Sequence, residues 1–220
     1  MDKTIVVIGL GEFGWHLALS LSEAGGAVIA IDEKQQRINA IKEQVSKAIA
    51  ADAKQRQTLL VIVPKEADSV VVALGSIESS IIVTLFLKEM GIKNLYVKAN
   101  SDEHERILKL LGIDSENIIF PEKNMATRVS ERLLNKNLLD YLPFSEDYSI
   151  AEVAPLDEML GKSLVELNFR RRYGLSIIAI RELIPPKMVM SPPLDFKIKT
   201  SDILIVLGLK EGIDKYHQGK

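Results

Sequence analysis

The hexapeptide Gly9-Leu10-Gly11-Glu12-Phe13-Gly14 stands directly after the β-branched run Thr4–Ile8 and directly before an amphipathic segment that begins near Trp15. In a turn of this kind the first glycine permits the tight reversal and the second lets backbone come close to a pyrophosphate. The third lets the helix pack near the strand, and the helix N-terminus offers its free N–H groups to phosphate. Asp32 closes the next strand, 23 positions after Gly9, where an acidic side chain accepts hydrogen bonds from ribose hydroxyls. A glycine turn that merely joins a strand to a helix would account for the glycines but not for the acid. Asp32 also disfavours a 2′-phosphate, because like charges would meet there. The expected ligand therefore carries an unphosphorylated adenosine ribose, as NAD, ATP, ADP and AMP do.

The rest of the chain follows from this start. Strands are expected at residues 4–8, 27–31, 47–51, 69–74, 94–98 and 117–120. Leu17, Leu21 and Ala24 give one helical face, and Ile81, Leu85 and Met90 mark another over residues 77–90. Gly25, Gly26 and Gly91 lie where helix ends favour glycine. Strand, helix and strand alternating through short links predict the α/β class, a doubly wound parallel sheet that ends near Pro121. A helix is then expected at 124–134, followed by a polar and aromatic connector at 135–148 containing Pro143. The remainder reads as a small α+β unit. It has strands at 149–154, 175–180 and 203–207, short helical pieces at 163–167 and 170–173, a last helix at 211–216, and a proline-rich loop, Ile-Pro-Pro-Lys-Met-Val-Met-Ser-Pro-Pro.

Composition excludes several classes. With 47% hydrophobic residues, 220 residues can bury a substantial core. A net charge of −2 supplies no bulk attraction to nucleic acid. The absence of cysteine removes thiol catalysis, disulfides and thiolate metal sites. No uninterrupted apolar run reaches the ~18 residues of a membrane span, and no export signal is visible, so the cytoplasm is expected. A nicotinamide enzyme needs a proton donor or acceptor beside the reacting carbon, and His16, His104 and His217 read as solvated or packing residues. A ligand-sensing protein without catalytic residues is therefore expected, with a small NAD-dependent oxidoreductase as the alternative.

A resemblance adds to this reading. The stretches VIGLGEFG, AIDEKQQRINA, VVVALGSIESSI, LFLKEMGIKNLYVKA, IIFPEKNMATRVSERL, LDYLPFSEDYSIAEV, GKSLVELNFRRRYGLSIIAI and SDILIVLG together resemble the RCK family of KtrA and TrkA type. These proteins are cytoplasmic regulators of conductance in bacterial potassium transport. The resemblance implies a Rossmann-like RCK N-terminal domain over 1–135, a connector over 136–148 and a small RCK C-terminal domain over 149–220. It implies assembly as dimers into an octameric ring. The ring would lie at the inner face of the membrane, beneath a potassium-translocating subunit like KtrB or TrkH.

Site residues carry over by position. The resemblance places the nucleotide on Gly9, Gly11, Glu12, Phe13 and Gly14, with Asp32 at the ribose and Asp52 and Ala53 flanking the adenine. Ala73, Leu74 and Gly75 pass close to the ligand, and Lys98 contacts phosphate or ribose. Glu122 helps to hold a divalent or sodium ion at the phosphates. On bland readings Lys98 is a solvated residue after a strand and Glu122 a first-turn acid favoured by the helix dipole. In the C-terminal domain, Arg170, Arg171 and Arg172 with Ile178 and Ile180 match a region where some relatives bind cyclic di-AMP across a dimer interface. An exposed basic turn is the alternative there. Two departures bear on ligand choice. The family commonly carries arginine where this chain has Glu12, reaching the phosphates of a neighbouring subunit's nucleotide; a carboxylate there repels a γ-phosphate and favours ADP, AMP or NAD(H) over ATP. Lys54 stands where the family usually has threonine.

Overall fold

The structure, a computed structural model, describes residues 3–134, 138–143, 145 and 147–217. By contacts the chain divides into two units, Met1–Pro121 and Glu122–Lys220.

The first unit is the doubly wound α/β sheet expected. In chain order its elements are β1 (Thr4–Ile8), α1 (Glu12–Glu23), β2 (Ala27–Asp32), α2 (Gln35–Ile41), β3 (Lys47–Ala50), α3 (Arg56–Ile62), β4 (Ser69–Val72), α4 (Ile77–Glu89), β5 (Leu95–Lys98), α5 (Asp102–Leu110) and β6 (Ile118–Ile119). The strands run parallel in the order β3-β2-β1-β4-β5-β6. Strands in such a sheet are covered on both faces, so they need apolar residues at successive positions. β1 shows this: Val6 and Ile8 join one core with Leu59, Val83, Leu87 and Leu108 from α3, α4 and α5, while Val7 faces the other with Ala18, Ile38 and Ile41 from α1 and α2. Local signals start the helices. Ser76 caps α4 by accepting from Ser79 N, and Ser101 caps α5 by accepting from His104 N. Asp102, Glu103 and Glu105 add negative charge to the first turn of α5, where the helix dipole favours it.

The second unit begins with α6 (Pro121–Leu134), continues through β7 (Leu138–Pro143), β8 (Tyr148–Val153), α7 (Leu164–Leu167), α8 (Phe169–Tyr173), β9 (Leu175–Leu183), β10 (Pro186–Met190) and β11 (Asp202–Leu209), and ends with α9 (Lys210–His217). Its strands form an antiparallel sheet in the order β10-β9-β11-β8-β7. One face packs on α8 and α9 through Ile180, Leu204 and Val206 against Phe169, Tyr173 and Tyr216. The three rings lie 5.0 to 5.5 Å apart, centroid to centroid. The buried Tyr216 hydroxyl donates to Ala154 O at 2.7 Å, and burial raises its pKa.

Two sequence expectations are corrected here. Within the supposed connector, residues 138–143 form β7, whose main chain pairs with β8; residues 135–137, 144 and 146 of that stretch lie outside the described residues, as does the His217 side chain. The proline-rich loop contains β10, which among the described residues is an edge strand paired with β9. Pro186 is its first residue, a place where the missing N–H costs the ladder little.

Candidate functional site

The ends of β1, β2, β3 and β4 surround a cavity of about 330 Å³, within the usual range for small-ligand pockets. The strand ends are laced by main-chain bonds: Gly9 N donates to Ile31 O at 2.7 Å, Ala73 N to Ile8 O at 2.7 Å and Ala51 N to Asp32 O at 3.0 Å. Gly9 turns with φ +96°, and a Cβ there would lie 2.7 Å from Ala73 O, so both conformation and space exclude a side chain. Gly14 sits in the first turn of α1, where a Cβ would meet Gly9 O at 1.9 Å. The helix therefore packs directly on the loop that precedes it.

Asp32 is buried at the floor of the cavity. Its Oδ2 accepts from Leu10 N at 2.7 Å and from Arg37 Nη1 at 3.1 Å, and its Oδ1 accepts from Lys34 N at 2.8 Å. The carboxylate thus braces the glycine loop and the start of α2 at once. Asp52 tightens the next loop, accepting from Lys54 N at 3.0 Å.

Of the residues expected from sequence, Gly9, Gly11, Asp32, Asp52, Ala53, Ala73, Leu74 and Gly75 line this cavity together. Gly14 packs on the loop from within α1, Phe13 is a half-buried residue of the same helix, and Glu12 is its exposed first residue; none of these lines the cavity. Lys98 reaches the rim indirectly. Its Nζ donates to Asn100 Oδ1 at 3.2 Å, and Asn100 Nδ2 donates to Leu74 O and Gly75 O, both at 3.0 Å. Glu122 is the second residue of α6 and belongs to the second unit. Also there, Arg170, Arg171 and Arg172 all lie on α8, where Arg172 pairs with Glu158 at 2.5 Å and stacks over Tyr173 at 5.0 Å. Ile178 is half-buried and Ile180 is fully buried in the core.

Lys34, Arg37, Ser76 and Ser79 also line the cavity and were not anticipated. Arg37 had a signal in sequence, a cation five positions after Asp32 on the next helix. Asn100 had none, because its role rests on a contact with a loop 25 residues away.

His104 is a packing residue. It is fully buried, and its Nδ1 accepts from Asn100 N at 3.2 Å. Burial lowers its pKa from 6.5. The folded state therefore binds fewer protons than the unfolded state once pH falls below about 6.5, and stability falls with it. The slope for one such group is at most ~1.4 kcal/mol per pH unit. Urea melts of the wild type and His104→Gln between pH 7.5 and 5 are expected to show the wild type losing stability faster. Parallel curves would mean that His104 titrates as it does in the unfolded chain.

Comparison with known proteins agrees with this architecture. Residues 5–121 match the TrkA-N domain and residues 148–218 the TrkA-C domain. The Ktr system potassium uptake protein C of Bacillus subtilis (strain 168) is 36% identical over 219 residues, covering 99% of this chain and 97% of that protein. The Ktr system potassium uptake protein A of the same organism is 34% identical over 216 residues, covering 98% and 96%. Among solved structures, the GsuK channel bound to NAD aligns with a TM-score of 0.66 at 19% identity over 100% of this chain and 40% of that one, a likeness of fold. With both domains matched and full-length relatives spanned almost end to end, the chain belongs to the TrkA-N and TrkA-C family that includes the Ktr system potassium uptake proteins.

Proposed function

We propose that this chain is a nucleotide-sensing regulatory subunit that gates a membrane potassium transporter or channel through ligand-dependent changes in an oligomeric ring. The observation that carries the reading is the cavity in which Gly9, Gly11, Asp32 and Gly75 converge at the carboxyl ends of parallel strands, the place where doubly wound sheets bind ligands. Its occupant is an adenine nucleotide: ribose at Asp32, adenine between Asp52 and Ala53, phosphates over Gly11 toward the N-terminus of α1. Among the described residues no group of three or more His, Cys, Asp or Glu side chains could hold a metal by itself.

Sensing requires the ring to bind nucleotide with different affinities in its two states. It also requires self-association, for which α6 offers a surface. Met125, Val129 and Leu133 recur every fourth residue there, and all three are exposed. The protein acts in the cytoplasm against a KtrB- or TrkH-like pore subunit and performs no catalysis; among the described residues no helix is long and apolar enough to cross a membrane. Mass spectrometry of the purified protein is expected to find a bound adenine nucleotide, and light scattering a mass several times 24.5 kDa. A nucleotide-free monomer, or turnover of NAD(H) with an organic substrate, would replace this reading with another.

A further inference from the structure

The ion pair at the floor of the cavity changes what the site accepts. Read from sequence, Asp32 is a bare acid that repels a phosphate on the ribose 2′ oxygen. In the structure its carboxylate is neither bare nor unbalanced. Two main-chain N–H groups and the Arg37 guanidinium already bond to it, and its side chain is 5% exposed. Arg37 differs in exposure as well as charge. It is the third residue of α2, its side chain is 40% exposed, and its guanidinium lies at the cavity edge. Lys34 and Lys54 also line the cavity, as does Glu33. Asp52, an acid among them, bonds through Oδ1 to the main-chain N–H of Lys54.

Building on the nucleotide reading above, we propose that Arg37 is a specificity-determining residue that lets this pocket accept adenine nucleotides carrying a 2′-phosphate as well as those without one. With an unphosphorylated ribose, Arg37 stays on Asp32 Oδ2, and Oδ1 keeps a lone pair for a hydroxyl. With a 2′-phosphate, rotation about the arginine side-chain torsions moves the guanidinium from carboxylate to phosphate. Its planar fork suits that partner, in the way an arginine near the ribose acid admits 2′-phosphates in dinucleotide sites generally. Asp32 does not become an uncompensated buried charge, because Leu10 N and Lys34 N still donate to it. Lys34 and Lys54 offset part of the negative charge brought by the ligand, against Glu33 and Asp52 in the same lining.

The test is calorimetric titration of the full chain with two probes, adenosine 5′-monophosphate and adenosine 2′,5′-bisphosphate. Wild-type protein is expected to bind the bisphosphate within about fivefold of the monophosphate, the range left when one charge-assisted contact replaces another. Arg37→Ala should weaken the bisphosphate by roughly ten- to hundredfold, the loss of one hydrogen-bonded charge pair. The monophosphate should weaken less, through the loosened Asp32 alone, so that the ratio of the two affinities shifts by at least about fivefold. Arg37→Lys, which keeps charge without the fork, should fall between. If the wild type binds the monophosphate and rejects the bisphosphate, or if Arg37→Ala weakens both probes equally, the proposal is wrong while the nucleotide site stands. If neither probe binds, both the site and the proposal fall.

Discussion

Replacing Asp32 with alanine is expected to weaken adenine-nucleotide binding by ~1–3 kcal/mol and to destabilise the first unit by a similar amount. The two losses have separate causes. Binding suffers because the ribose hydroxyls lose a charged acceptor. Folding suffers because Leu10 N, on a residue 2% exposed, loses the Oδ2 that satisfies it at 2.7 Å, and a buried donor left unpaired carries its full desolvation cost. Asp32→Asn separates charge from shape. Its amide can keep one oxygen toward Lys34 N, but its NH2 group then faces Leu10 N, donor against donor. Asparagine is therefore expected to destabilise nearly as much as alanine. Calorimetry on ligand and chemical denaturation of the free protein read the two effects independently. Unchanged nucleotide affinity in Asp32→Ala would remove Asp32 from the ribose, and unchanged stability would show that the loop does not depend on it.

Much of the first unit was legible because its physics is local. A strand buried on both faces must be a β-branched run, and Thr4–Ile8 and Ser69–Val72 are such runs. The loop glycines and Asp32 were legible because their spacing encodes one geometry. What stayed hidden depends on partners distant in sequence or on composition that points the wrong way. β7, Leu-Leu-Asp-Tyr-Leu-Pro, has a charge inside it and a proline at its end, and only pairing with β8 reveals a strand. β10 was masked by the prolines around Val189. Arg37, on a helix opening Gln-Gln-Arg, has only its spacing from Asp32 to mark it in sequence, and the ion pair itself is visible only in the fold. Asn100, just beyond β5, fastens Leu74 and Gly75 beyond the neighbouring strand β4. No periodicity in sequence reports a tie of that kind.

The glycines of the opening loop differ in what they do, and alanine at each should separate fold from binding. At Gly14 a methyl group would stand 1.9 Å from Gly9 O, far inside van der Waals contact. The obstructing atom is backbone, so no side-chain rotation relieves it; α1 must move away from the loop or the loop must deform. Overpacking of this kind costs ~1–3 kcal/mol and sometimes more, and with a rigid carbonyl as the neighbour the upper end is expected. At Gly11 a methyl group would meet nothing within 4 Å, and the backbone there is extended, φ −68° and ψ −176°, which any residue adopts. Gly11→Ala should therefore leave the free protein's stability within ~0.5 kcal/mol of wild type. Its methyl group would nonetheless occupy the space through which a pyrophosphate approaches the N–H groups of α1. The expected pattern is a low unfolding midpoint for Gly14→Ala, and for Gly11→Ala a normal midpoint with ADP affinity reduced at least tenfold, about 1.4 kcal/mol. Should Gly11→Ala bind ADP as tightly as wild type, phosphates do not pass over Gly11, and the orientation assigned to the nucleotide in this cavity has to be reversed.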